Sequence, residues 1–193
     1  FPRLSDILAG TSTLGESLPA TTRSLQFRLT VRDNRAAGGG ADHASVSVNV
    51  SSTAGPFRVT APDTAVTWTG GSLQTVRWDV AGTDAAPVDC QSVRLLASTD
   101  GGQSSPLVLE PDTPNDGSRS VTVPQIATTR ARLKAECVGN IFFDISNVNF
   151  TITAGGPVAP FVESVSPTNG TEFGGTLVEL TGLNFVDGAT VAF

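Results

Sequence analysis

Leu25-Gln26-Phe27-Arg28-Leu29-Thr30-Val31-Arg32 alternates apolar and polar side chains without a break. On a strand, successive side chains point to opposite faces, so Leu25, Phe27, Leu29 and Val31 share one face and Gln26, Arg28, Thr30 and Arg32 the other. Outward from this stretch the same period of two recurs. Val46, Val48 and Val50 oppose Ser45, Ser47 and Asn49, and Val76, Trp78 and Val80 oppose Thr75, Arg77 and Asp79. Leu133, Ala135 and Cys137 oppose Arg132, Lys134 and Glu136; Val148, Phe150 and Ile152 oppose Asn149, Thr151 and Thr153. Strands with one apolar and one polar face build antiparallel sheets that are wet on one side. Turn residues separate them: Gly38-Gly39-Gly40, Gly70-Gly71, Asp100-Gly101-Gly102, Asn115-Asp116-Gly117 and Gly155-Gly156-Pro157. Only residues 3–9 fit a helical turn. The pattern predicts an all-β chain of antiparallel β-sandwiches.

Two boundaries divide the chain. Ser51 to Pro56 is small and polar and ends in Gly-Pro, and Ala154 to Pro160 is a short Gly/Pro linker. They leave pieces 1–53, 57–153 and 161–193, of which only the middle one has the length of a complete sandwich. The flanks hold too few strands to close a core of their own, so the terminal sandwiches are expected to be incomplete. With no Met anywhere in the sequence, the expectation is a processed piece of a longer chain.

Composition narrows the function classes. Of 193 residues 16% are charged, below the ~25% of an average soluble protein, so Ser, Thr, Asn and Gly must make much of the surface. A net charge of −6 and a pI near 4.6 argue against nucleic acid, whose phosphates demand a basic face. No apolar run approaches the ~20 residues of a membrane-spanning helix. Lys134 is the only lysine, and the eleven arginines are scattered, which reads as a compositional habit and not as a binding site. One His and no Tyr leave little to write enzyme chemistry with, so no enzyme is expected.

The middle piece reads as eight strands: Phe57–Thr60, Ala65–Trp68, Leu73–Val80, Ser92–Ser98, Pro106–Leu109, Arg119–Val123, Arg130–Cys137 and Val148–Thr153. With Trp78 on the third strand, it resembles a fibronectin type III or immunoglobulin-like sandwich. Thr75-Val76-Arg77-Trp78-Asp79-Val80, Ser98-Thr99-Asp100-Gly101-Gly102 and Phe142-Phe143-Asp144-Ile145-Ser146-Asn147 resemble a module that follows the catalytic domain in secreted bacterial zinc metalloproteases of the reprolysin-like type. The text from Leu18-Pro19 through Phe27-Arg28-Leu29-Thr30-Val31-Arg32-Asp33-Asn34 is similar to what precedes that module. It also looks like the closing strands of a cadherin- or PKD-like domain, assigned here to residues 1–53. Val165-Ser166-Pro167-Thr168-Asn169-Gly170, Gly174-Gly175-Thr176, Leu180-Thr181-Gly182 and Asn184-Phe185 are similar to the opening of a TIG (IPT) domain, assigned to 161–193. The resemblance implies a secreted, extracellular bacterial protein. The His-Glu-x-x-His helix of the protease is absent, so the resemblance carries no proteolytic activity to this sequence.

Cys90 opens the strand at 92–98 and Cys137 closes the strand at 130–137. These are neighbouring antiparallel strands in such a sandwich, which makes a disulfide natural, with two buried free thiols as the less favoured alternative. Cys90 is out of phase with Val93 and Leu95, so a bulge or turn before residue 92 must absorb the difference. His43 sits in a Gly-rich stretch with no second His, and reads as a solvated loop residue. Asp100, Asp112, Asn115 and Asp116, and separately Asp33, Asn34 and Asp42, put oxygen ligands in loops. They lack the regular spacing of a calcium loop, so plain turns are preferred and calcium is the alternative; no other cofactor is expected. Asn49-Val50-Ser51, Asn149-Phe150-Thr151 and Asn169-Gly170-Thr171 match the glycosylation sequon at the rate expected by chance in a Ser/Thr-rich chain. Trp68 and Trp78 alternate into strands and are expected in the core.

Two functions fit these observations. The first is a non-catalytic extracellular module that binds substrate, matrix or a cell surface. The second is a subunit of an extracellular filament, in which strands of one copy complete those of the next. There the face of Leu25, Phe27, Leu29 and Val31 meets Phe173, Leu177, Leu180 or Phe185 of a neighbour.

Overall fold

Alternation becomes strand almost wherever the sequence carries it. The computed structural model describes residues 2–33, 35, 38–156, 159–185 and 187. The chain divides into two units, Phe1–Ala154 and Gly155–Phe193. The first holds α1 (Leu4–Ala9), β1 (Arg23–Arg32), β2 (Ala41–Val50), β3 (Arg58–Ala61), β4 (Thr67–Thr69), β5 (Leu73–Asp79), β6 (Ser92–Ser98), β7 (Leu107–Pro114), β8 (Ser118–Thr122), β9 (Thr128–Cys137), β10 (Phe143–Ile145) and β11 (Phe150–Thr153). The second holds β12 (Phe161–Ser166) and β13 (Glu179–Leu183). Among the described residues no helix is long and apolar enough to cross a membrane.

Strands β3 to β11 make an all-β sandwich. One sheet has the order β3-β5-β8; the other runs β4-β11-β9-β6-β7, with β10 also paired to β9. Val59, Val76, Trp78 and Val121 of the first sheet face Trp68, Val93, Leu95, Ala131, Leu133, Ala135, Phe150 and Ile152 of the second, all buried. The rings of Trp68 and Phe150 lie 4.8 Å apart. This continuous apolar layer is the main driving force of the fold, because each fully buried large side chain contributes about 1.5–3 kcal/mol relative to exposure. Edge strand β7 is flanked and interrupted by Pro106, Pro111 and Pro114, which have no N–H to offer an incoming strand.

Three details depart from the sequence reading. First, β4 pairs with β11 in parallel, Trp68 opposite Ile152, although alternation predicts antiparallel neighbours throughout. The chain leaves the first sheet after β3 and crosses to the second, where it runs in the same direction as the last strand. Second, β11 begins at Phe150, and Val148 stays exposed in the bend before it. Third, β10 is an additional three-residue strand, too short to show a period, with Phe143 opposite Glu136.

Helix α1 ends where Gly10 takes a left-handed backbone (φ 63°), a conformation that favours glycine because it lacks a Cβ. Leu8 rests against Gly102, and Arg132 Nη1 donates to the Leu8 carbonyl at 3.2 Å, which ties the helix to the sandwich.

Strands β1 and β2 form a separate two-stranded antiparallel sheet, with Leu25 opposite Val48, Phe27 opposite Val46, Leu29 opposite Ala44 and Val31 opposite Asp42. In the second unit β12 and β13 pair with Val165 opposite Leu180 and Val162 opposite Gly182, a register shift between them placing all four on one face.

Candidate functional site

Among the described residues, nothing covers the outer part of the apolar side of the β1–β2 hairpin. Leu25, Val48 and Val50, toward its base, are half-buried, but Phe27 is 41% exposed, Val46 58% and Leu29 70%. The register pairs these residues directly across the ladder, so they form one contiguous strip and not scattered surface residues. Both long strands keep a free edge, since among the described residues neither pairs with another strand. The opposite face carries Gln26, which accepts from Ser47 Oγ at 2.9 Å, together with Arg28, Thr30 and Arg32. His43 lies within β2, opposite Thr30 on this polar face; the sequence reading had placed it in a loop.

The β12–β13 hairpin presents a second strip. Val162, Val165 and Leu180 share its face with Phe185, whose ring lies over Gly182. Val162 and Val165 are exposed and Leu180 is half-buried. Phe173 and Leu177, in the connection between the two strands, are 91% and 92% exposed. Glu163, Glu172 and Glu179 are exposed around the same hairpin.

The remaining polar clusters are internally satisfied. Cys90 and Cys137 are joined by a disulfide with their Cα atoms 6.1 Å apart, and Cys137 lies opposite Val93 in the β6–β9 ladder. A turn over residues 81–89 brings Cys90 into place ahead of β6. Asp100 accepts from Ser98 Oγ at 2.6 Å, Ser104 Oγ at 2.6 Å and Ser104 N at 3.0 Å. These bonds, the Ser104 hydroxyl first among them, hold its carboxyl well below the usual carboxylate range. Asp116 Oδ1 accepts from Ser118 N, Asp33 Oδ1 from Arg35 N and Asp42 Oδ1 from His43 N. Asp112 is exposed in β7, and Asn34 lies outside the described residues. Among the described residues no group of three or more His, Cys, Asp or Glu side chains is placed to hold a metal ion.

Asn115 has a different place from the plain turn its Asn-Asp-Gly sequence predicts. It is 6% exposed, accepts from Trp78 Nε1 at 2.8 Å, and donates through Nδ2 to Thr83 Oγ1 at 3.1 Å and Cys90 O at 3.0 Å. It therefore joins the third strand of the sandwich to the disulfide turn through one side chain.

In the sequence Asp144 is marked only by its place in Phe142-Phe143-Asp144-Ile145-Ser146-Asn147. It is partly buried against β3, where its Oδ2 accepts from Val59 N at 2.7 Å. Burial pushes its carboxyl up from the ordinary value of 3.8, and Asp63 adds to the effect; the Val59 N–H and Arg58 oppose it. Beside β10 a shallow groove of about 270 Å³ is lined by Arg94, Glu136, Ile141 and Phe143. Its charges are paired among themselves: Glu136 with Arg94 at 3.3 Å and with Lys134 at 2.7 Å, the ammonium lying 4.4 Å from the centre of the Phe143 ring.

Among the described residues, the first unit thus holds a closed, disulfide-linked sandwich and an uncovered apolar strip on the β1–β2 hairpin, and the second unit an apolar strip on the β12–β13 hairpin. Comparison with models of protein families and with curated proteins finds no match for this sequence.

Proposed function

We infer that this chain is a non-catalytic extracellular β-sandwich module of a secreted bacterial metalloprotease-like protein, which binds a protein or surface ligand such as substrate, matrix or a cell surface. The observation that carries the reading is the uncovered strip of Phe27, Leu29, Val31 and Val46 on a hairpin beside a sandwich that has already buried its own core. Contiguous exposed apolar surface of this kind marks interaction sites. The disulfide supports an oxidising compartment, where such bonds persist. The polar clusters support the non-catalytic part, because each acid described above already has its hydrogen-bond donors or lies alone on the surface.

A second reading has a specific observation in its favour. The β1–β2 and β12–β13 hairpins each carry an apolar strip, so one chain holds two faces able to pair with other copies and build an extracellular filament. Light scattering combined with negative-stain electron microscopy separates the two. Monodisperse particles near 19.8 kDa support the binding module, and their labelled form is then expected to bind matrix or cells in a manner lost in Phe27→Asp. Filaments or large regular oligomers support the second reading and refute the first as the chain's main role.

A further inference from the structure

We propose that the apolar strip of the β1–β2 hairpin is covered by the β12–β13 hairpin of a second copy of this chain, in a head-to-tail contact. This inference rests on the self-assembly reading and names its two surfaces.

Three observations carry it. The first is need. A lone two-stranded sheet is marginally stable in water, and each hairpin here is a sheet of two strands with an apolar face in solvent. The second is fit of kind. Phe27, Leu29 and Val46 on one hairpin and Val162, Val165, Leu180 and Phe185 on the other are both flat apolar strips of sheet, the surfaces that pack face to face in sandwiches.

The third is net charge, which favours one pairing over the other two. Residues 17–53 carry four arginines, Arg23, Arg28, Arg32 and Arg35, against Asp33 and Asp42, a formal +2. Residues 155–193 carry Glu163, Glu172, Glu179 and Asp187 and no basic residue, a formal −4. Residues 54–154 carry ten carboxylates against six arginines and Lys134, a formal −3, and residues 1–16 a formal −1. The β1–β2 hairpin is therefore the one cationic stretch of an acidic chain. Arg28 and Arg32 lie on the polar face of the hairpin, away from the strip, so these charges act on the encounter of the hairpins and not as pairs across the contact. Head with head is +2 with +2, and tail with tail −4 with −4; only head with tail joins opposite signs, which steers its encounter over about one Debye length while like signs slow the other two. Because the two surfaces differ, each copy still offers one free face after pairing, and the contact need not close.

The test uses the full 193-residue chain in sedimentation velocity and light scattering over a range of protein and salt concentrations. The wild type is expected to form species that grow beyond dimers with concentration and shrink as salt rises. Phe27→Asp blocks the head and Leu180→Asp blocks the tail, so each alone is expected to be monomeric. Mixed in equal amounts, they have one intact head and one intact tail and are expected to stop at a 1:1 dimer.

Exposed charge variants repeat the test without touching an apolar side chain. Arg28→Glu with Arg32→Glu turns the head to −2, and Glu163→Lys, Glu172→Lys and Glu179→Lys turn the tail to +2. Each set alone is expected to weaken association about tenfold, and the mixture of the two to recover it. Dimers of Leu180→Asp alone, or failure of both mixtures to associate while the wild type does, would overturn the head-to-tail pairing and leave self-assembly standing. A wild type that stays at 19.8 kDa under every condition overturns the self-assembly reading itself.

Discussion

Replacing Asn115 with Ala should be among the most damaging single changes in the sandwich, although the residue sits in a turn. Its side chain makes three hydrogen bonds at 2.8–3.1 Å in a site only 6% exposed. Removing it leaves the buried Trp78 N–H without an acceptor, at a cost of about 1–3 kcal/mol. Thr83 Oγ1 still donates to the Val80 carbonyl at 2.7 Å, so the loss there and at the Cys90 carbonyl is smaller, about 0.5–1 kcal/mol each. The sum is about 3 kcal/mol. For a domain of about 100 residues, where each kcal/mol moves Tm by about 4–8 °C, the midpoint should fall by about 12–24 °C. Tryptophan fluorescence is the assay, because Trp68 and Trp78 are the only tryptophans and both lie in this core. Asn115→Asp is the control. It keeps the acceptor for Trp78 but loses both donors and buries a charge, so it should fall below Asn115→Ala at neutral pH and gain on it as the carboxyl protonates. A fall of less than about 4 °C in Asn115→Ala would show that water takes over the three partners, and the reasoning would be wrong.

Removing the disulfide with Cys90→Ala and Cys137→Ala opens a link across 47 positions; the chain-entropy model gives a loss of about 4 kcal/mol, read as a lower urea midpoint. A change under about 1 kcal/mol in the double variant would contradict it. Asp144→Asn tests the buried carboxyl. Because the folded-state value is raised from 3.8, Asp144 favours the fold below that pH, and the contribution is lost as pH rises through the raised value. The variant should therefore gain on the wild type as pH rises from about 4 to neutrality, and a Tm difference that stays flat across that range contradicts the assignment. Gly102→Ala adds a Cβ at a backbone φ of +90° and 2.5 Å from Leu8 Cδ2, so it should cost about 1–2 kcal/mol and loosen α1. Hydrogen exchange should quicken over residues 4–11 and stay unchanged in β9; equal protection of both would count against this docking.

The parts of the fold legible in the sequence are those in which burial alternates. β5, β6 and β9 follow directly from Val76 and Trp78, from Val93 and Leu95, and from Leu133 and Ala135, because each strand turns one face to the opposite sheet and the other to water. What was hidden depends on residues far apart in the chain. Asn115 looks like any Asn-Asp-Gly turn, and its role appears only when Trp78, 37 positions earlier, is brought beside it. β10 is too short for a period and owes its place to Glu136 and Lys134 across the ladder. The parallel β4 reflects a sheet crossing that no local pattern encodes. For the candidate site, alternation shows that Leu25, Phe27, Leu29 and Val31 share a face, but a periodic pattern carries no information on what covers that face. His43 was misplaced because its glycine neighbours resemble a loop, whereas the ladder runs through it to Ala41.

The two attachments of the β1–β2 hairpin make it a mounted arm with two legs. One leg, residues 11–22, leads back to α1, which Arg132 grips through the Leu8 carbonyl and thereby connects to β9 in the centre of its sheet. The other, residues 51–54, is short and ends where Gly55 N donates to the Ala81 carbonyl at 2.8 Å, just past β5 of the opposite sheet. Tension on the short leg is borne by the Gly55–Ala81 bond and then by the β3–β5 ladder, because that leg runs on into the edge strand β3, whereas tension on the long leg reaches the other sheet through Arg132. The short leg takes up load first, since the long one has slack to straighten. The sandwich behind it is cross-linked between Cys90 and Cys137, which limits how far the chain can be drawn out once either leg yields.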